Sequence, residues 1–371
     1  MKSRQFFVLS ALALAAILTA CGGGGSSGST TPVIPGVPTV FKANCADLTI
    51  KTSTISQADA QSQCVTPPSP LVNSSIVTAV PAATYPAGSE ELAAFDLLNA
   101  ERANCGYGLL TQNDKLDVSS KGHANWLLVN NQAGHYQVAG TPMFTGVTPQ
   151  DRQVAAGYSA SFEGSEVTAK IGALSKVGQG VLMVRNLLNA PYHGVAMTRG
   201  YRDTGVSVRE LADNGITPSN LTVVNIDFGY KYANGMQSPT TGTLRTYPCE
   251  GSKGVNRFLA EETPSPVPGR NLGASPLGTS IVIAGDVGTT LTISGATMVN
   301  VATNAAVTMR APVTSKNDAY GSTYLLTNEG YVSADASLDP MTAYKVTVTG
   351  TNNSSAFSRT FMFTTGSGNQ R

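Results

Sequence analysis

His123, His135 and His193 are the only histidines of this chain, and all three fall in its central region. A neutral imidazole can take or give a proton near physiological pH, or ligate a transition metal, so their concentration marks where chemistry could sit. Other mechanisms find no footing. There is no His-Glu-x-x-His helix, no Walker loop and no Cys-x-x-Cys pair, and no dedicated nucleophile–base pair can be recognised.

The elements that must position these histidines can be read locally. Ser89 is an N-cap candidate, Glu90 and Glu91 suit a first turn, and Leu92, Phe95, Leu97 and Leu98 form an apolar stripe, predicting a helix to about Ala103 that Gly106 and Gly108 stop. A second helix is predicted from Asp117 to Asn131, with Leu116, Ser120, His123, Leu127 and Leu128 on one side. That placement makes His123 a core histidine. A third helix is predicted over Val181 to Leu188, ended by Asn189-Ala190-Pro191, followed by strand-like runs at Gly205 to Arg209 and Leu221 to Tyr230. Helices first and strands later predict an α+β layered domain over residues 89–250.

Residues 251–268 hold the Pro-rich break Thr263 to Pro268 and read as a stiff linker. Beyond it, residues 269–371 carry short β-type runs at Ser280 to Ala284, Thr289 to Ser294, Thr297 to Val301, Ala306 to Met309, Ser322 to Leu326, Ala343 to Thr349 and Arg359 to Thr364. Such spacing predicts an all-β sandwich. Asp339 to Tyr344, ahead of Lys345 to Val348, resembles the tyrosine corner of immunoglobulin-like modules. The closing stretch Phe361 to Gly366 resembles the end of bacterial Ig-like domains.

The N-terminus carries Lys2 and Arg4, then an uncharged apolar run from Phe6 to Ala20, too short to span a bilayer comfortably. It reads as a secretory signal over residues 1–20. Leu18-Thr19-Ala20-Cys21 resembles the lipobox of bacterial lipoproteins, which implies a lipid on Cys21, attachment to a membrane and a place in the cell envelope. Gly22, where an Asp would imply inner-membrane retention, permits export to the outer membrane. Residues 21–88 begin with a Gly/Ser/Thr-rich run and continue through scattered prolines, as a low-complexity tether and extended segment. The net charge is +1 with no Lys/Arg cluster, so nucleic acid is dropped as a partner. Cys45, Cys64, Cys105 and Cys249 remain for an oxidising compartment. Four cysteines allow three pairings, and the sequence does not choose. The pairing expected is Cys45 with Cys64 as a local staple, and Cys105 with Cys249 closing the central domain.

Asn99-Ala100-Glu101-Arg102, Leu109 and Leu116, Gly122-His123-Ala124, His135, Arg152, Gly157-Tyr158, Gly164-Ser165-Glu166-Val167, Ala190-Pro191-Tyr192-His193, Tyr201 and Gly205-Val206 follow each other in the order and spacing of bacterial CAP (SCP-like) domains. The resemblance covers about Ser89 to Cys249. It implies a three-layer α-β-α sandwich in which two histidines and one or two glutamates converge in a surface cleft, where some members hold a divalent metal. Carried over by position, His135 matches the histidine after the second helix, Glu166 the glutamate of the Gly-Glu-Asn motif, and His193 the histidine before the last strands. These three are the candidates for catalysis and for holding zinc or another divalent metal. The motif's Asn is Val167 here, Glu163 is an alternative carboxylate, and Lys176 to Leu188 supplies no second glutamate. Tyr136, Tyr158 and Tyr192 are either cleft or packing residues.

Three functions compete. The first is capture of a small molecule, lipid, glycan or envelope partner in the His/Glu cleft. The second is metal-assisted hydrolysis with Glu166 or a histidine activating water. The third is a passive structural or adhesive lipoprotein. Binding ranks first because no nucleophile is identifiable.

Overall fold

The computed structural model describes residues 76–159, 161–217 and 219–367; the signal, Cys21, Cys45, Cys64 and most of the tether lie outside the described residues. Helix α1, Glu90–Asn104, begins where Ser89 caps it: Ser89 Oγ accepts from the Leu92 N–H at 3.2 Å. Helix α2, Asp114–Val129, starts earlier than expected because Asn113 Oδ1 accepts from Lys115 N at 3.0 Å and Leu116 N at 3.4 Å. His123 lies on its inward side, fully buried.

Four strands build the sheet of the central region: β1 Thr111–Gln112, β2 Phe162–Ile171, β3 Asp203–Glu210 and β4 Thr222–Lys231, in the order β1-β3-β4-β2. All pairings are antiparallel except β1 with β3. Alternation along β4 sends Val224, Ile226 and Phe228 toward one core, which α1 and the helices after β2 share. Val223 and Asn225 face the other way, toward Leu127 and Ser120 of α2. Gly205 on β3 permits the close seat of α2, since a Cβ there would meet the Leu116 carbonyl carbon at 2.1 Å and Asp117 N at 2.2 Å.

Among the elements not anticipated, three bear on the site. Helix α3, Pro149–Ala155, opens on a capping box between Thr148 and Asp151. Strand β2 lacks the alternation of a half-buried strand, because Glu163, Ser165, Glu166, Thr168 and Lys170 place polar groups on both its faces. After α4, Gln179–Asn189, Pro191 does not merely end a helix. It takes the first position of α5, Pro191–Thr198, where its missing N–H costs nothing.

The C-terminal part holds two more sheets, so the described chain is a mixed α+β structure. Strands β5 Arg245–Tyr247, β7 Ser280–Ala284, β10 Val313–Thr314 and β11 Glu329–Ser333 pair in the order β10-β11-β7-β5. Strands β6 Ser252–Val255, β8 Leu291–Asn300, β9 Ala306–Val307, β12 Ala343–Asn352 and β13 Ser355–Thr365 pair in the order β6-β13-β12-β8-β9. Ile281, Ile283, Val332, Met298, Val346, Val348, Phe361 and Phe363 fill the core between them. Tyr344 is buried and its hydroxyl accepts from the Asp339 N–H at 3.0 Å, the corner read from the sequence. Two expected runs, Thr289 to Ser294 and Thr297 to Val301, fuse into β8, with a register shift against β12 at Thr349/Gly350. Ser322 to Leu326 is not a strand; it lies in turns that carry Leu325 into the core.

No free-standing linker separates the two parts. Residues 251–268 include β6, parallel to β13, and Leu259, bridged to Leu277. Strand β7 is covered on both faces: Val282 joins the core of α4 and α5, while its neighbours Ile281 and Ile283 face the other sheet. Tyr192 of α5 packs on Tyr320, Tyr324 and Tyr331 at centroid distances of 6.0, 5.1 and 5.9 Å. Arg199 forks onto both oxygens of Glu329 at 2.8 Å. The Cys105–Cys249 disulfide is present, with Cα atoms 5.5 Å apart. It ties the end of α1 to the turn between β5 and β6, and so reaches beyond the central domain it was expected to close. Among the described residues no helix is long and apolar enough to cross a membrane.

Candidate functional site

Antiparallel pairing places Glu166 of β2 directly opposite Asp227 of β4. Both side chains then share the face covered by α2, and both are buried. Glu163 stands on the opposite face by the alternation of the strand and is excluded from this cluster. Two adjacent carboxylates in a dry site cannot both stay ionised at low cost.

The partners decide which one keeps its charge. Arg152, carried in by α3, donates to Glu166 Oε2 at 2.6 Å, and Asn225 Nδ2 donates to the same oxygen at 3.2 Å. His135 Nδ1 stands 2.9 Å from Glu166 Oε1. Burial alone would raise the Glu166 carboxyl, yet the Arg152 guanidinium above all, with His123 and His135, holds it well below the usual carboxylate range. Asp227 goes the other way. Burial, reinforced by the Glu166 charge, pushes its carboxyl well up.

His123 belongs to the floor of this cluster and is a satisfied core histidine, as its helix position implied. Gln137 Nε2 donates to its Nδ1 at 3.2 Å, and the Gln137 amide is oriented by Thr145 N, which donates to its Oε1 at 2.8 Å. Nδ1 is therefore an acceptor, and Nε2 carries the proton it donates to the Gly134 carbonyl at 2.9 Å. Burial pushes the His123 ring down to about 4.

His135 and His193 reach the surface. The His135 side chain is 34% exposed and that of His193 14%. Their ring centroids are 6.3 Å apart. Around His135 the loop between α2 and α3 exposes Tyr136, Val138 and Met143, so the imidazole pair borders an apolar rim. Tyr158 and Tyr192 are packing residues: Tyr158 donates to Asp203 Oδ2 at 2.6 Å, and Tyr192 to Asp318 Oδ1 at 2.6 Å.

The three residues expected to form one triad are served by two carboxylates. Glu166 serves His135, whereas His193 has its own carboxylate, Glu262, whose Oε1 lies 3.0 Å from His193 Nδ1. Sequence reasoning missed Glu262, Asp227 and Asn225. Glu262 follows Glu261 in a segment read as linker, and nothing local distinguishes the two. The Asp227 position carried a signal in the alternating run of β4, but not its pairing with β2.

A catalytic zinc takes three protein ligands and an open position. Here Glu166 has no oxygen to spare, since Oε1 faces His135 and Oε2 accepts from Arg152 and Asn225. Among the described residues no group of three His, Cys, Asp or Glu side chains could hold a metal ion. These residues do not fit a zinc centre, and no metal-assisted step follows from them. A cavity of about 230 Å³ between residues 266–267 and the β10–β11 region includes none of the histidines. No family model matches the chain, and no curated protein matches it.

Proposed function

We propose that this chain is a lipid-anchored cell-envelope protein, tethered through Cys21 and of the CAP type over residues 89–250 with an Ig-like sandwich after it, that captures a ligand between His135 and His193. The observation that carries this reading is the pair of surface imidazoles, 6.3 Å apart and each backed by a buried glutamate, beside the exposed Tyr136, Val138 and Met143. Buried carboxylates behind imidazoles fix ring orientation in advance, so binding does not have to order them. The apolar rim suits a lipid, glycan or protein partner that brings an apolar face together with polar groups. Hydrolysis is the weaker reading, because Glu166, the carboxylate expected to activate water, is held in an ion pair with Arg152.

The test follows the histidine ring resonances of the full chain while tri-N-acetylglucosamine, and separately phosphatidylglycerol vesicles, are titrated in. Binding moves the His135 and His193 signals, leaves buried His123 in place, and is lost in the His135→Ala/His193→Ala double variant. If neither probe moves either ring, the cleft is not the binding site for these envelope ligands, and the passive structural reading takes over.

A further inference from the structure

We propose that Glu262 is a positioning residue for His193, which it locks in the form protonated at Nδ1 and bare at Nε2. Its functional meaning rests on the cleft proposed above. The Glu262 side chain is fully buried and comes from the segment between β6 and β7. It reaches the start of α5, whose N-cap Ala190 has no side chain to cap it. Glu262 Oε1 accepts from the backbone N–H of Tyr192 at 2.9 Å and of His193 at 3.2 Å, and stands 3.0 Å from His193 Nδ1. An oxygen already taking two N–H groups is an acceptor whether or not the carboxyl is ionised, since any proton would sit on Oε2, which has no partner. Nδ1 must therefore be the donor.

The same reasoning applies to His135, because Glu166 is ionised and can only accept. Neither Nε2 has a hydrogen-bond partner among the described residues. The two rings thus offer the cleft a pair of lone pairs. A ligand must bring hydrogen-bond donors, such as hydroxyl or amine groups, to be held there; a carboxylate or phosphate oxygen would meet acceptors only. The C-terminal part, by supplying Glu262, completes a site whose other residues all precede it.

The ¹⁵N shifts of the imidazole rings separate bare from protonated nitrogens, and three histidines make the spectrum assignable. At about pH 8, above the ordinary range of imidazole titration, the full chain is expected to show His135 and His193 protonated at Nδ1 and His123 protonated at Nε2. Free imidazole side chains favour Nε2–H, so the first two depart from the default. Glu262→Leu should return His193 to Nε2–H and leave His135 unchanged, whereas Glu262→Gln, which keeps an acceptor oxygen, should preserve the wild-type pattern. Finding His193 as Nε2–H in the wild type, or still as Nδ1–H in a folded Glu262→Leu, overturns the inference. Should Glu262→Leu fail to fold, the wild-type and Glu262→Gln spectra decide it, and Nε2–H in either counts against it. Because the tautomers are read without ligand, a failed glycan or vesicle titration refutes the binding cleft and leaves this result standing.

Discussion

Replacing Asp227 by Asn tests the division of charge beneath the site. Asp227 and Glu166 are cross-strand partners, which puts their Cβ atoms roughly 5 Å apart. Two negative charges at that separation repel by about 3 kcal/mol at an effective dielectric of about 20, before any desolvation cost. The raised Asp227 carboxyl therefore favours uptake of a proton on folding, one that the unfolded chain releases above about pH 4. With more protons bound in the folded state, the Asp227 contribution to stability falls as pH rises from about 4, by about 1.4 kcal/mol per pH unit, for as long as the folded carboxyl stays protonated. Asn at this position keeps an oxygen for Asn225 Nδ2, now 3.3 Å from Asp227 Oδ1, and replaces the acid proton with an amide. Urea denaturation of wild type and Asp227→Asn at about pH 5 and 6 should show the variant gaining about 1.4 kcal/mol on the wild type over that unit. His123 and Glu166 titrate in both proteins and largely cancel in the difference. The substitution also changes packing by a fixed amount, so the slope and not the offset is the test. A gap independent of pH would mean that Asp227 is ionised in the folded protein and would refute the assignment.

Arg152→Met strands the Glu166 carboxylate and should cost about 3–5 kcal/mol, measured by urea denaturation near neutral pH. His123 is held down to about 4 in the fold; below about pH 6.5 the unfolded chain takes a proton that the folded one refuses. The His123 contribution to stability should therefore fall on acidification toward pH 4 at up to about 1.4 kcal/mol per unit, opposing that of Asp227, and His123→Gln should remove that component from the pH–stability curve. Zinc calorimetry on the full chain should give affinity weaker than about micromolar, since only two imidazole nitrogens are free to bind. Micromolar binding abolished in His135→Ala/His193→Ala would show that the donor count misjudges the site.

Much of the scaffold was legible because its signals are local. Ser89 with its acidic first turn marks α1, the apolar side containing His123 marks the buried face of α2, and Tyr344 marks its corner. The site was legible only in part. His135 and His193 could be named, but the pairing of each with a different glutamate depends on contacts between residues far apart in the chain. Glu166 could be named, but strand β2 around it went unread because the face it presents to α2 is polar, and a polar buried face does not alternate with a polar exposed one. Glu262 was hidden more deeply, since its burial comes from tertiary packing around a proline-containing segment. Pro191 misled for a local reason: the residue that ends one helix is equally suited to begin the next.

Strand β6 lies parallel to β13, with Ser252 registered against Phe363, and this has a consequence for biogenesis. A chain emerging N-terminus first exposes β6 long before its partner β13 exists, with its backbone groups unpaired by that strand. Strand β6 then waits on β13 for its partner. A chain cut before β13 would leave β6 without its partner and an open edge on β12, the kind of exposed strand that invites pairing with another chain.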